Sequence, residues 1–124
     1  MAKVMVVDDS AMSRRILREI IESKGYEVIE AHDGMAGLEL YFLQKPDVVM
    51  LDLIMRGMYG IDFLKKLREL DPQARVIVAS ADIQTSTRQM TESEGALGFV
   101  TKPFAREDVL QAIQTVVEAE HASN

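Results

Sequence analysis

Apolar residues follow two alternating rhythms along this chain. Short unbroken runs, Val4-Met5-Val6-Val7, Val48-Val49-Met50-Leu51 and Val76-Ile77-Val78-Ala79, are separated by longer stretches where apolar positions recur every three or four residues. An apolar run without polar alternation suits a strand buried on both faces, as in a parallel sheet. The three-or-four spacing suits a helix with one buried side. Met12, Ile16, Leu17, Ile20 and Ile21 predict a first helix, opened by Ser10 as N-cap and closed by Gly25. After the Asp33-Gly34 turn, Met35, Leu38, Leu40, Tyr41 and Phe42 predict a second. Ile61, Phe63, Leu64, Leu67 and Leu70 predict a third that ends at Asp71-Pro72, and Val109, Leu110, Ile113, Val116 and Val117 a closing one. The stretch from Gln84 to Gly95 is different. Only Ile83 and Met90 look buriable there, so its helix is expected to be marginal or loosely packed.

The segments Tyr26-Glu27-Val28-Ile29-Glu30 and Leu97-Gly98-Phe99-Val100-Thr101 complete five strand–helix units in strict alternation. Connections of this length require parallel strands with helices on both faces. The three most apolar runs belong in the centre, and the Tyr26 and Leu97 strands at the edges. That arrangement is an α/β doubly wound sheet of order 2-1-3-4-5, the flavodoxin-like winding. Residues 1–120 read as one domain and 121–124 as a polar tail.

Composition narrows the function. A length of 124 residues is enough for one well-buried core. A net charge of −6 gives no electrostatic basis for binding nucleic acid. The absence of Cys excludes disulfides, thiolate metal sites and Cys nucleophiles. No apolar run is long enough for a membrane span or a signal peptide core, so the expected location is the cytoplasm.

An acid at one strand end caps a turn more often than it reacts. Here the winding brings several reactive groups together. The carboxyl ends of the first, third, fourth and fifth strands deliver Asp8 and Asp9, Asp52, Ser80 and Lys102. Two unit charges ~4 Å apart repel by about 4 kcal/mol at an effective dielectric of ~20. Three carboxylates in one crevice therefore need a proton, a cation or Lys102 to offset them. An all-oxygen donor set points to Mg²⁺.

Val7-Asp8-Asp9-Ser10, Met50-Leu51-Asp52-Leu53-Ile54-Met55, Ser80-Ala81 and Lys102-Pro103-Phe104 together resemble the receiver domain of two-component response regulators, over essentially the whole chain. The resemblance implies a phosphoryl acceptor at Asp52, with Mg²⁺ held by Asp9, Asp52 and the backbone carbonyl of Ile54, and by Asp8 through water. It implies that Ser80 hydrogen-bonds the phosphoryl group and that Lys102 pairs with the carboxylate and then with the phosphoryl. A cis Lys102-Pro103 bond would aim the amine inward. Phe99 matches the aromatic switch position. The donor would be a phosphohistidine on a sensor kinase or phosphotransfer protein, or a small acyl phosphate. The reader would be a phosphorylation-dependent protein target at the face of helix 4, strand 5 and helix 5, of chemotaxis type or in a relay. Such a domain catalyses only its own phosphorylation and dephosphorylation.

Three positions bear on how the switch is tuned. Arg56 stands where the family usually has Pro, which frees the loop and adds a cation. By the resemblance, Ile54 and Asp82 occupy the two positions that tune phosphoryl lifetime in the family. Apolar Ile54 is expected to hinder attacking water, and Asp82 to repel anionic donors or orient water. Other readings are a haloacid-dehalogenase-type phosphatase, a flavin protein, and a receiver cut from a longer regulator. The first needs a second acid where Ile54 stands. The second needs a phosphate-cradling loop in place of Asp8-Asp9.

Overall fold

The computed structural model describes residues 2–55, 57–82 and 84–122. They form β1 (Lys3–Val7), α1 (Ala11–Glu22), β2 (Glu27–Ala31), α2 (Gly34–Gln44), β3 (Val48–Leu51), α3 (Gly60–Leu70), β4 (Val76–Ser80), α4 (Thr85–Ser93), β5 (Gly98–Thr101) and α5 (Arg106–Ala122). The strands pair in parallel in the order β2-β1-β3-β4-β5, as the apolar ranking predicts. The chain steps outward from β1 to β2, then back across the sheet through β3, β4 and β5. Right-handed crossovers therefore place α1 on one face and α2, α3 and α4 on the other. α5 continues to Ala122, so His121 and Ala122 are helical rather than part of a tail. Asn124 and its neighbour Ser123 lie outside the described residues.

Strand alternation divides the core in two. Val4, Val6, Val48, Met50 and Ile77 meet Leu17 and Ile21 of α1 and Val109, Ile113 and Val116 of α5. Met5, Val7, Val49, Leu51 and Val76 meet Tyr41 of α2 and Phe63, Leu64 and Leu67 of α3. Burial on both faces accounts for the continuous apolar runs of the central strands.

The helix seams are narrower than the apolar patterns suggest. α1 buries Leu17 and Ile21 but leaves Met12 73% and Ile16 41% exposed. α2 buries Gly34, Gly37 and Tyr41, while Met35 and Phe42 face outward. The reason is close approach: an added Cβ at Gly37 would lie 3.0–3.3 Å from Phe63 and Val7. Glycines and Tyr41, rather than Met35 and Phe42, make that seam. Leu70, in the last turn of α3, and Leu97, just before β5, are also exposed. α4 departs most. Met90 is exposed, Ile83 lies outside the described residues, and the buried residue is Thr91. Thr91 turns its hydroxyl to the Arg88 carbonyl at 3.0 Å, which satisfies the buried oxygen.

Candidate functional site

Strand register assembles the site. Val7 of β1 pairs with Leu51 of β3, so Asp8 and Asp52 leave the sheet side by side. The Asp52 N–H still donates to the Val7 carbonyl at 2.9 Å. Leu51 pairs with Val78, and Ser80 with Thr101, which brings the end of β4 and then Lys102 alongside. The Lys102 N–H donates to the Ser80 carbonyl at 3.0 Å. The Lys102-Pro103 peptide is cis, as the resemblance implies.

Asp8 is buried and fully engaged. Its Oδ1 accepts the Ser10 N–H at 2.8 Å, and its Oδ2 accepts from Lys102 Nζ at 3.1 Å. Lys102 Nζ also lies 3.5 Å from Asp52 Oδ2. One ammonium thus spans two buried carboxylates, a geometry that offsets their repulsion. Asp9 is exposed at the rim. A carboxylate oxygen from each of Asp8, Asp9 and Asp52 lies within 4.8 Å of the others, close enough to share one cation. Burial and then the charge of Asp8 push the Asp52 carboxyl above the ordinary carboxylate range, against the pull of Lys102. The Ile54 N–H approaches Asp52 Oδ1 at 3.4 Å, and the Ile54 side chain is 65% exposed beside the acid.

Ser80 is fully buried, and its Oγ accepts the Asp82 N–H at 3.1 Å. The Asp82 carboxylate accepts the Gln84 N–H at 3.0 Å and the Thr87 hydroxyl at 2.7 Å. These bonds turn Asp82 toward α4. Phe99 is half-buried on β5 under the Arg88 guanidinium, 4.9 Å from its ring centre. Arg56 lies outside the described residues.

The pattern of apolar residues gave no signal for two supporting groups. Arg14, four residues after the Ser10 cap, donates to the Asp8 carbonyl at 2.7 Å and to Glu30 at 3.1 Å. It ties the acid pair to β2. Gly60 sits so close beneath Asp52 that a Cβ there would lie 2.3 Å from the Asp52 carbonyl oxygen and 2.4 Å from the Leu53 Cα. Its N–H donates to the Leu53 carbonyl at 2.8 Å, closing the loop after β3. A glycine eight residues past a strand-end acid is the only trace of this in the sequence.

The family model for the response regulator receiver domain matches residues 4–114. The chain belongs to that family. This receiver domain is 40% identical to the chemotaxis protein CheY of Thermotoga maritima over 115 residues, 92% of this chain and 96% of that relative. It is 38% identical to CheY of Bacillus subtilis over 112 residues, 90% of this chain and 93% of that one. The solved CheX-CheY-BeF3-Mg²⁺ complex of Borrelia burgdorferi contains a chain that superposes with a TM-score of 0.90 at 34% identity, covering 94% of this chain and 89% of that chain. The receiver domain works in two-component signalling and resembles the CheY proteins over nearly their whole length. Membership in this family sets aside the phosphatase and flavin readings. Among the described residues, no helix is long and apolar enough to cross a membrane.

Proposed function

We propose that this receiver accepts a phosphoryl group on Asp52 and uses it to alter a protein-binding face. The observation that carries the reading is the convergence of Asp8, Asp9 and Asp52 within 4.8 Å, with Lys102 bridging the two buried acids. Three carboxylates with oxygen as their only donor atom fit Mg²⁺. Asp9, Asp52 and the Ile54 backbone carbonyl would hold it, with Asp8 acting through water. Bound there, Mg²⁺ supplies positive charge against the phosphoryl oxygens.

The remaining chemistry belongs to the chain's own residues. An Asp52 carboxylate oxygen attacks phosphorus in line, and the bond from phosphorus to the donor's nitrogen or acyl oxygen breaks. The leaving group keeps the electron pair. Lys102 neutralises the carboxylate before transfer and a phosphoryl oxygen after it. Ser80 donates its hydroxyl to another phosphoryl oxygen. Water attacking the same phosphorus regenerates Asp52 and releases phosphate. Exposed Ile54 flanks that approach and slows the water, so Ile54→Asn is expected to shorten the life of the phosphorylated form. The protein catalyses no turnover beyond these two steps.

The responsive face is formed by α4, β5 and α5. Arg88, Phe99, Asp108 and Gln111 line a shallow cavity there of about 310 Å³. Its partners are a sensor kinase or phosphotransfer protein as donor and a target that binds after phosphorylation, all in the cytoplasm. Incubation with acetyl phosphate and Mg²⁺ tests the acceptor. Intact mass should rise by one phosphoryl group in the wild type and stay constant in Asp52→Asn or with a chelator. Uptake undiminished in Asp52→Asn would refute the assignment.

A further inference from the structure

We infer that Asp82, Thr87 and Arg88 form a positioning relay that ties the Ser80 hydroxyl to the Phe99 ring through the first turn of α4. This builds on the proposed role of Asp52, because it gives the phosphoryl signal a physical path. Two of its links are hydrogen bonds, one is the peptide bond from Thr87 to Arg88, and one sets a cation over a ring. Ser80 Oγ accepts the Asp82 N–H at 3.1 Å, and Asp82 Oδ2 accepts the Thr87 hydroxyl at 2.7 Å. Thr87 is followed directly by Arg88, whose guanidinium lies 4.9 Å from the Phe99 ring centre. The Arg88 N–H closes the first turn on the Gln84 carbonyl at 3.1 Å.

The helix depends on these links. Gln84, at the N-cap, makes no side-chain cap bond, so the first turn is fastened from outside the helix instead, by its own N–H and the Thr87 hydroxyl on the Asp82 carboxylate. The Gln84 N–H and the Thr87 hydroxyl hold the Asp82 carboxyl below the ordinary carboxylate range, so it stays ionised and accepting at neutral pH. α4 buries Thr91 alone among its described residues, which leaves it few other anchors. A cation over an aromatic ring is worth roughly as much as a cap bond. Movement of Ser80 Oγ toward a phosphoryl group on Asp52 draws on the Asp82 N–H. Asp82 carries Thr87 with it, and the displaced turn lifts Arg88 from the ring. Asp82 is a positioning residue, and so are Thr87 and Arg88. None of them touches the reacting atoms.

Fluorine NMR on protein labelled with para-fluorophenylalanine tests the relay, with the Phe99 resonance assigned by its loss in Phe99→Leu. Without any phosphoryl analogue, Thr87→Val should shift that resonance and speed amide exchange over residues 85–90 about five-fold, the loss expected for one side-chain hydrogen bond. Thr87→Ser should restore both. Arg88→Gln should shift the resonance while leaving the exchange within about two-fold, since it spares the Thr87–Asp82 hydrogen bond. Faster exchange in Thr87→Val with the Phe99 resonance unmoved would leave Asp82 only fastening the helix turn and overturn the relay. With beryllofluoride and Mg²⁺, the wild-type Phe99 resonance should move. In Thr87→Val that response should vanish while the bound beryllofluoride signal remains. Absence of bound beryllofluoride in the wild type would count against Asp52 as acceptor, and the analogue-free comparison would still decide the relay.

Discussion

At the scale of single residues, Asp52 is held in a state that costs stability. Its carboxyl is pushed up by burial and by Asp8, so the folded protein binds that proton more tightly than the unfolded chain does. Stability contributed by this group is therefore greatest below the ordinary carboxylate range. It falls as pH rises from that range through the raised folded value, and the full penalty applies at neutral pH. Asp52→Asn removes the charge and leaves Lys102 its 3.1 Å partner on Asp8. The variant should be more stable than the wild type at neutral pH by on the order of 1 kcal/mol, a common exchange at functional sites. The difference should disappear in acid. Urea unfolding at both pH values checks this, and an equal gain at both would refute the linkage. Gly60 makes the opposite prediction. Its Cβ direction is blocked by backbone of Asp52 and Leu53, which cannot rotate away. Gly60→Ala should cost about 3 kcal/mol or more and slow phosphoryl uptake. Gly98→Ala, whose Cβ would meet Ile77 at an ordinary 3.5 Å, should cost far less in the same unfolding assay.

At the scale of elements, strands were more legible than helix seams. An apolar run buried on both faces has one reading, and its end residue is where chemistry can emerge. Asp8, Asp52 and Ser80 stand out for that reason, and Lys102 because it follows the edge strand beside them. A helix seam depends on how closely the helix approaches the sheet, which no local pattern encodes. α2 shows this, because Gly37 admits Val7 and Phe63 and so turns Met35 and Phe42 to solvent. The partners of Arg14 and Asp82 were hidden for a related reason. Long polar side chains find their acceptors only once the fold has placed them. The weak pattern from Gln84 to Gly95 goes with a helix that buries one residue, Thr91 rather than Met90. Native-state hydrogen exchange should accordingly find α4 opening at much lower free energy than α5, which buries Val109, Ile113 and Val116. Equal protection of the two helices would contradict this account.

At the scale of the whole molecule, the two half-cores share one sheet, so damage to either face should unfold both together. Met50→Ala, on the α1–α5 side, should cost about 2–5 kcal/mol and leave a single cooperative transition. Probes on Tyr41 and on α5 should report the same midpoint, and separate midpoints would refute the coupling. A divalent cation acts at the same scale. A ligand that binds only the folded state raises the unfolding midpoint with its concentration. Mg²⁺ should do so in the wild type and lose most of that effect in Asp9→Asn, where the rim carboxylate is gone.

Parallel pairing also gives the molecule a polarity of use. Every group argued to handle phosphate leaves the sheet at one end, while the turns at Lys24 and Gln73 lie at the other and are exposed. A dye, an epitope or a tether grafted at either turn would ride on the passive end and leave signalling intact. The same graft at Gly57, on the loop after Asp52, would stand in the doorway. For anyone building a sensor from this protein, the sheet has already marked where the handle goes.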